Sequence, residues 1–268
     1  MIRVIAVTVV LGAFLGQAVW AEGQLRTLRT GDDGKGWEAV GRIDIGRSGY
    51  CTGTLIEPDL VLTAAHCLFD SHTGERVPIE DFEFLAGLRS GRAEAYRNVS
   101  RAVMHPDYVF EGRDKVTRVV YDVALLELEQ PIRNPSIKPF PTATLPRRGA
   151  EVGIVSYATG RDEEPSLEEL CEVLARDDGV LMLSCDVDFG ASGSPIFTIE
   201  DGETRVVSVV SAKAIYEGRR VALAAELGET LETVRALLAG DGVFHRVQST
   251  AGTQGTPEAS GGAKFIRP

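Results

Sequence analysis

The sequence predicts an all-β protein. From Glu38 onward it is a succession of short apolar, β-branched runs, these are broken at fairly regular intervals by Gly, Pro, Asp and Asn, and helical periodicity is scarce. Many short strands so punctuated argue for sandwiches or barrels rather than alternating strand–helix units. With 268 residues, 44% of them apolar and 25% charged, the chain can bury a large core within one or two domains.

The N-terminus carries one positive charge, Arg3, then an uncharged apolar run from Val4 to Val19 that ends Val19-Trp20-Ala21. That is the pattern of an export signal, with cleavage expected after Ala21 and residues 1–21 removed. The run is short for a membrane span of about 20 residues. The mature protein is therefore expected to be secreted or periplasmic, free of the membrane, and in an oxidising compartment. Residues 22–37 read as an N-terminal segment and 38–240 as the folded domain.

Within that domain, strands are expected at Val40 to Ile45, Leu60 to Ala64, Phe82 to Ala86, Val123 to Leu128, Val152 to Tyr157, Val180 to Leu183 and Arg205 to Ser211. The stretch of about 129–150 holds Pro131, Pro135, Pro139, Pro141 and Pro146. Proline removes ladder donors, so this stretch reads as an extended connector between two halves. A helix is predicted over Glu229 to Leu238, where Leu231, Val234, Leu237 and Leu238 share a face and Gly240 stops the turn. A shorter helix is expected over Ser166 to Leu174, with Ser166 as N-cap and Glu169 three residues on. Residues 241–268 form a Gly-, Thr-, Ser- and Ala-rich tail, expected to be loosely held, in which Phe265-Ile266 could dock.

A net charge of -11 without a local basic patch disfavours nucleic acid as a partner. Four cysteines, Cys51, Cys67, Cys171 and Cys185, are an even number for an exported chain. Three connectivities are possible for four cysteines. Proximity in sequence favours Cys51 with Cys67 and Cys171 with Cys185, each closing a loop of about 15 residues worth roughly 3 kcal/mol. A zinc site is the competing use, but no CxxC pair exists and no metal is expected.

Acyl transfer from an amide needs a nucleophile, a base to take its proton, a group to orient the base, and donors for the developing oxyanion. The sequence offers one candidate for each. Cys51-Thr52-Gly53-Thr54-Leu55-Ile56 precedes Leu62-Thr63-Ala64-Ala65-His66-Cys67, which holds His66 as the candidate base; a His beside a Cys is, as a bare pattern, more often structural. Tyr121-Asp122 heads the apolar run Val123-Ala124-Leu125-Leu126, so Asp122 must be partly buried and hydrogen-bonded. Gly190-Ala191-Ser192-Gly193-Ser194-Pro195 supplies Ser192 in a loop of small residues that lets the amides of Gly190 and Ser192 converge.

These motifs, in this order, resemble the trypsin-like, chymotrypsin-fold serine peptidases. The resemblance covers roughly Glu38 to Gly240. It implies two packed six-stranded antiparallel barrels with a C-terminal helix, and His66 as general base, Asp122 as orienter and Ser192 as nucleophile. It also implies an oxyanion hole of the Gly190 and Ser192 amides and a Cys51–Cys67 bridge. Ser192-Gly193-Ser194-Pro195 is more like the bacterial glutamyl endopeptidase branch. Protein or peptide substrates, no cofactor and a monomer are the matching expectations. The rival reading is a non-catalytic binding protein on the same fold. An esterase or a self-processing peptidase would keep the chemistry and change the substrate.

One position beside the nucleophile departs from the trypsin pattern. Ala191 stands where trypsin has the Asp that receives the new amine on zymogen cleavage, so a preformed oxyanion loop is expected. Met104-His105-Pro106-Asp107-Tyr108 also recurs in the family, as a structural loop without chemistry. In the substrate pocket, Asp186 matches the carboxylate that selects Lys or Arg, with Asp188 as a competitor. Ser211 matches the pocket edge, and Lys213 falls where trypsin has glycine, with a charge able to neutralise Asp186 or attract acidic substrates.

Overall fold

The computed structural model describes residues 25–47, 49–144, 146–240 and 264–265. The expected export signal and most of the tail lie outside the described residues. After β1 (Leu25–Thr27), a first group of strands is formed by β2 (Val40–Ile45), β3 (Gly49–Glu57), β4 (Leu60–Thr63), β5 (Phe82–Ala86), β6 (Ala95–Met104) and β7 (Ala124–Leu128). These close into a barrel in the order β2-β3-β4-β7-β6-β5. Its interior is filled by apolar side chains, with Val40, Ile43, Leu55, Leu62, Phe84 and Leu125 fully buried. Inward positions of this kind alternate with outward ones along a pleated strand.

The second group comprises β8 (Glu151–Ala158), β9 (Arg161–Asp177), β10 (Val180–Leu183), β11 (Pro195–Glu200), β12 (Glu203–Tyr216) and β13 (Arg219–Glu226). The path runs β1-β9-β10-β13-β12-β11-β8, and β8 also pairs with β9, so these six strands form a ring of pairings with β1 on its margin. A two-residue strand β14 (Lys264–Phe265) pairs with β12. The predicted C-terminal helix is α2 (Gly228–Ala239), which buries Leu231 and Val234.

One hydrophobic cluster spans both groups, and the second group has a further core of its own around Ile154, Val173, Leu181 and Val207. Trp37, Phe140 and Phe197 form an aromatic cluster, with Trp37–Phe197 and Phe140–Phe197 centroids 4.9 and 4.8 Å apart. Phe140 donates its N–H to Leu55 of the first barrel while its ring meets Phe197 of β11. The proline-bearing span between β7 and β8 therefore crosses the join and is anchored there by buried Ile132, Ile137 and Phe140. Both disulfides favoured by sequence proximity form, Cys51–Cys67 and Cys171–Cys185.

One local expectation fails, and one element goes unmarked. The span Ser166 to Leu174 is not a helix but the middle of β9, paired with β1 and with β8. Its alternating Leu167, Cys171 and Val173 face the core, with a kink at Leu170, whose φ is +65°. Ladder partners on both flanks and the bridge to Cys185 outweigh a capping pattern worth about 1 kcal/mol. Conversely, α1 (Lys115–Val120) is a short helix that hydrophobic periodicity did not mark. Its β-branched residues read as strand-like, and the signal that could have found it is Asp114, whose side chain accepts the Val116 N–H at 3.0 Å.

Candidate active site

The antiparallel register of β4 and β7 places Thr63 opposite Ala124. His66 lies three residues beyond Thr63, on the short turn Ala65–Leu68, and Asp122 lies two before Ala124, so adjacent strand ends deliver both. The Cys51–Cys67 bridge ties the His66 turn to β3. Asp122 is 2% exposed. Its Oδ1 accepts the His66 backbone N–H at 2.8 Å, and its Oδ2 lies 2.7 Å from His66 Nδ1. The Ser211 hydroxyl donates to the same Oδ2 at 2.5 Å. A buried carboxylate so surrounded fixes the imidazole with its proton on Nδ1 and leaves Nε2 free to accept.

His105 packs on Tyr121, the residue before Asp122. Their rings stack with centroids 4.4 Å apart, and His105 Nδ1 accepts the Asp107 N–H at 3.2 Å. Burial pushes the His105 imidazole below its ordinary range, which suits an acceptor inside a loop. Its partners are a backbone N–H and a neighbouring ring.

Ser192 lies between β10 and β11, in two consecutive turns closed by Ala191 N–H to Asp188 O and Ser194 N–H to Ala191 O, both 3.0 Å. Gly190 and Gly193, third in each turn, have φ of +92° and +75°. Only glycine takes that position without strain. A Cβ on Gly193 would also lie 2.1 Å from Thr63 Oγ1, so the loop packs directly on the residues that precede His66. Ala191 is fully buried.

Thr52 joins the loop to the first barrel. Its N–H donates to Ser192 O at 2.9 Å, its Oγ1 donates to Gly190 O at 2.9 Å, and that Oγ1 accepts the Tyr157 N–H at 3.0 Å. On the other side, Gly193 N–H donates to Val210 O at 2.8 Å, one residue before Ser211. β12 thus holds the Ser192 loop and supplies a donor to Asp122. Sequence reasoning missed Thr52, which sits in the quoted motif but shows its role only when two sheets meet. Replacing Thr52 with valine keeps the shape and strands the buried Tyr157 N–H, at about 1–3 kcal/mol. The expected result is a lower denaturation midpoint together with a loss of about tenfold in kcat, read from urea melts and steady-state kinetics.

The residues expected at the substrate pocket are differently engaged than their positions suggested. Arg220 pairs with Asp186 at 3.0 Å, both about half exposed. Lys213 does not meet Asp186: its Nζ lies 2.9 Å from Asp188 and 3.3 Å from the Phe189 ring centroid. The Lys213 ammonium holds the Asp188 carboxyl below the usual carboxylate range. This pins the residues that lead into Gly190. Ser211, expected at the pocket edge, spends its hydroxyl proton on Asp122. The cysteines near His66 and near Glu168 are close enough to suggest metal ligands, but all four are bridged, and a disulfide sulfur is not a thiolate donor.

Comparison with known proteins bears on the family and the fold. A family profile described as a trypsin-like peptidase domain matches residues 51–209. Thrombin-like enzyme 1 of Trimeresurus albolabris is 25% identical over 217 residues, covering 71% of this chain and 78% of that protein. A trypsin of Phaedon cochleariae is 32% identical over 105 residues, but the match spans only 36% of that protein and 38% of this chain. Among solved structures, a Glu endopeptidase in complex with MPD superposes with a TM-score of 0.64 at 19% identity, over 82% of this chain and 98% of that one. A thermostable serine protease, AL20, from an extremophilic microorganism superposes at 0.60 and 18% identity, over 76% and 98%.

Proposed function

The chain belongs to the trypsin-like peptidase family, and from that premise we propose that it is an exported serine endopeptidase in which Ser192, His66 and Asp122 act as a triad. The observation that carries the reading is the saturated, buried Asp122, bound by His66 N–H, His66 Nδ1 and Ser211. Nothing in barrel packing alone asks for a carboxylate there, since a buried charge costs several kcal/mol unless paired.

In the proposed reaction His66 Nε2 takes the Ser192 hydroxyl proton as Oγ attacks the scissile carbonyl carbon. The carbonyl oxygen becomes an oxyanion, received by the N–H groups of Gly190 and Ser192. The imidazolium, stabilised by ionised Asp122, gives the proton to the leaving amine, and the amide C–N bond breaks to leave an acyl ester on Ser192. Water, deprotonated by the same His66, then releases the acid and regenerates the serine. The chemistry needs no cofactor. Export is supported by two disulfides, which persist in oxidising compartments. No helix among the described residues is long and apolar enough to cross a membrane.

We also propose that the oxyanion loop is assembled without an ion pair to a newly cut amine. Ala191 has no charge to offer, and the loop is already held by Thr52, Val210 and the Lys213–Asp188 pair. The test of function is covalent labelling by a fluorophosphonate: labelling of the folded chain supports a working nucleophile, whereas a folded but unlabelled chain is a binding protein on this fold.

A preference for Lys or Arg side chains is the specificity that Asp186 carries, with Arg220 as its competitor. An exposed pair of this kind is worth up to about 1 kcal/mol, so Arg220→Ala should raise kcat/KM on Lys or Arg substrates by up to about fivefold. Asp186→Ser should erase the preference in the same peptide library. An unchanged preference in both variants would remove Asp186 from the pocket.

A further inference from the structure

We propose that β14, Lys264–Phe265, docks on the free edge of β12 as a strand and competes with peptide substrate for it, so that the chain restrains its own active site. The proposal deepens the peptidase reading and rests on it. β11 pairs with β12 from Glu200↔Glu203 to Pro195↔Val209. The contact ends at Val210, which donates to Ser194 O and accepts from Gly193 N–H. β12 continues to Tyr216, and its opposite edge is taken by β13 through Ala214↔Val221 and Ile215↔Arg220. The edge that β11 leaves is therefore open from Ser211 onward, and it begins beside Ser192. Among the described residues, only β14 pairs there, with Ala214↔Phe265 and Ile215↔Lys264.

The direction of β14 matters as much as its place. Like β11, it is antiparallel to β12, so the two lie end to end along one edge with the Ser192 turns between them. The β14 pairing covers Ala214 and Ile215, on the edge that leads back to Ser211 and to the loop that bears Ser192. An open strand edge binds extended peptide through its N–H and C=O groups. A peptide substrate approaching Ser192 along this edge needs the groups that β14 occupies. Tethering makes so short a pairing effective, because a linked segment acts at an effective concentration in the millimolar range, about 1 mM or more.

The test compares the full chain, a chain stopped after Ala263, and a Lys264→Pro/Phe265→Pro variant, in which proline removes the ladder donors. The substrate is a peptide with five residues on the acyl side of the cleaved bond. Full-length protein whose edge is free about a fifth of the time has its KM raised about fivefold, so KM should fall by that factor in both variants with kcat unchanged. A synthetic peptide of residues 261–268, added at about millimolar concentration, should inhibit the shortened chain competitively, and a scrambled peptide should not. Fluorophosphonate labelling of Ser192 is followed in parallel. Labelling in all three chains with unchanged KM overturns this proposal alone. Absence of labelling in all three overturns the peptidase reading and this proposal with it.

Discussion

Replacing Ser192 with alanine is expected to lower kcat by about 10⁶-fold and to abolish fluorophosphonate labelling, while leaving the thermal midpoint within a degree or so of the parent. The side chain lost is one hydroxyl in a loop whose shape is set by other groups. Thr52, Val210 and the two glycine turns hold the backbone of Ser192, and none of those bonds uses its Oγ. Chemistry and folding are thus separable at this position. The measurement is single-turnover hydrolysis of a peptide library by the intact and substituted chains, with a melting curve for each. Residual turnover near that of the parent would show that Ser192 is not the nucleophile. Labelling that survives the substitution would point to another serine.

Asp122→Asn is the second large effect, about 10⁴-fold in kcat. The carboxylate presents two oxygens to three donors: Oδ1 to the His66 N–H, and Oδ2 to both His66 Nδ1 and Ser211 Oγ. An asparagine has one oxygen and one amide nitrogen to offer. With the oxygen on the His66 backbone N–H, its NH₂ faces Nδ1, which must then be an acceptor. The ring proton moves to Nε2, and Nε2 can no longer take the proton of Ser192. With the groups reversed, the NH₂ confronts the His66 N–H, and the turn that carries His66 is pushed away. Either arrangement disables the base and leaves Ser192 in place. The expected signature is a fall in kcat with KM little changed, and slower labelling by the fluorophosphonate rather than its complete loss. A decrease under about tenfold would mean that Asp122 serves packing rather than the base.

Much of the fold was legible because strand period and turn chemistry are local. Val40–Ile45, Phe82–Ala86 and Val180–Leu183 are strands with the boundaries that their apolar runs indicate. The helix Gly228–Ala239 follows from its apolar stripe. Local signals failed where partners from elsewhere in the chain decided. Ser166 to Leu174 carries a capping pattern but lies in β9, between ladders that no nine-residue window can reveal. Asp114 to Val120 fails in the opposite sense, since one cap and a short turn outweigh a strand-like composition.

The chemistry divides along the same line. By itself the sequence determined an all-β class and the residue types that a serine peptidase needs, each in its own motif, and by proximity it favoured, among three connectivities, the two cysteine pairs that form. It could do so because backbone propensity, small-residue loops and nucleophile chemistry depend on neighbours within a few positions. Only the tertiary structure decided what each polar group touches. It assigned the Ser211 hydroxyl to Asp122, Arg220 to Asp186 and Lys213 to Asp188, and it made Thr52 the joint between the barrels. It also brought Lys264 and Phe265 alongside β12. These contacts span tens to more than a hundred residues of sequence, and hydrogen bonds and ion pairs act over only a few ångströms, so the closing of the sheets alone could select among them.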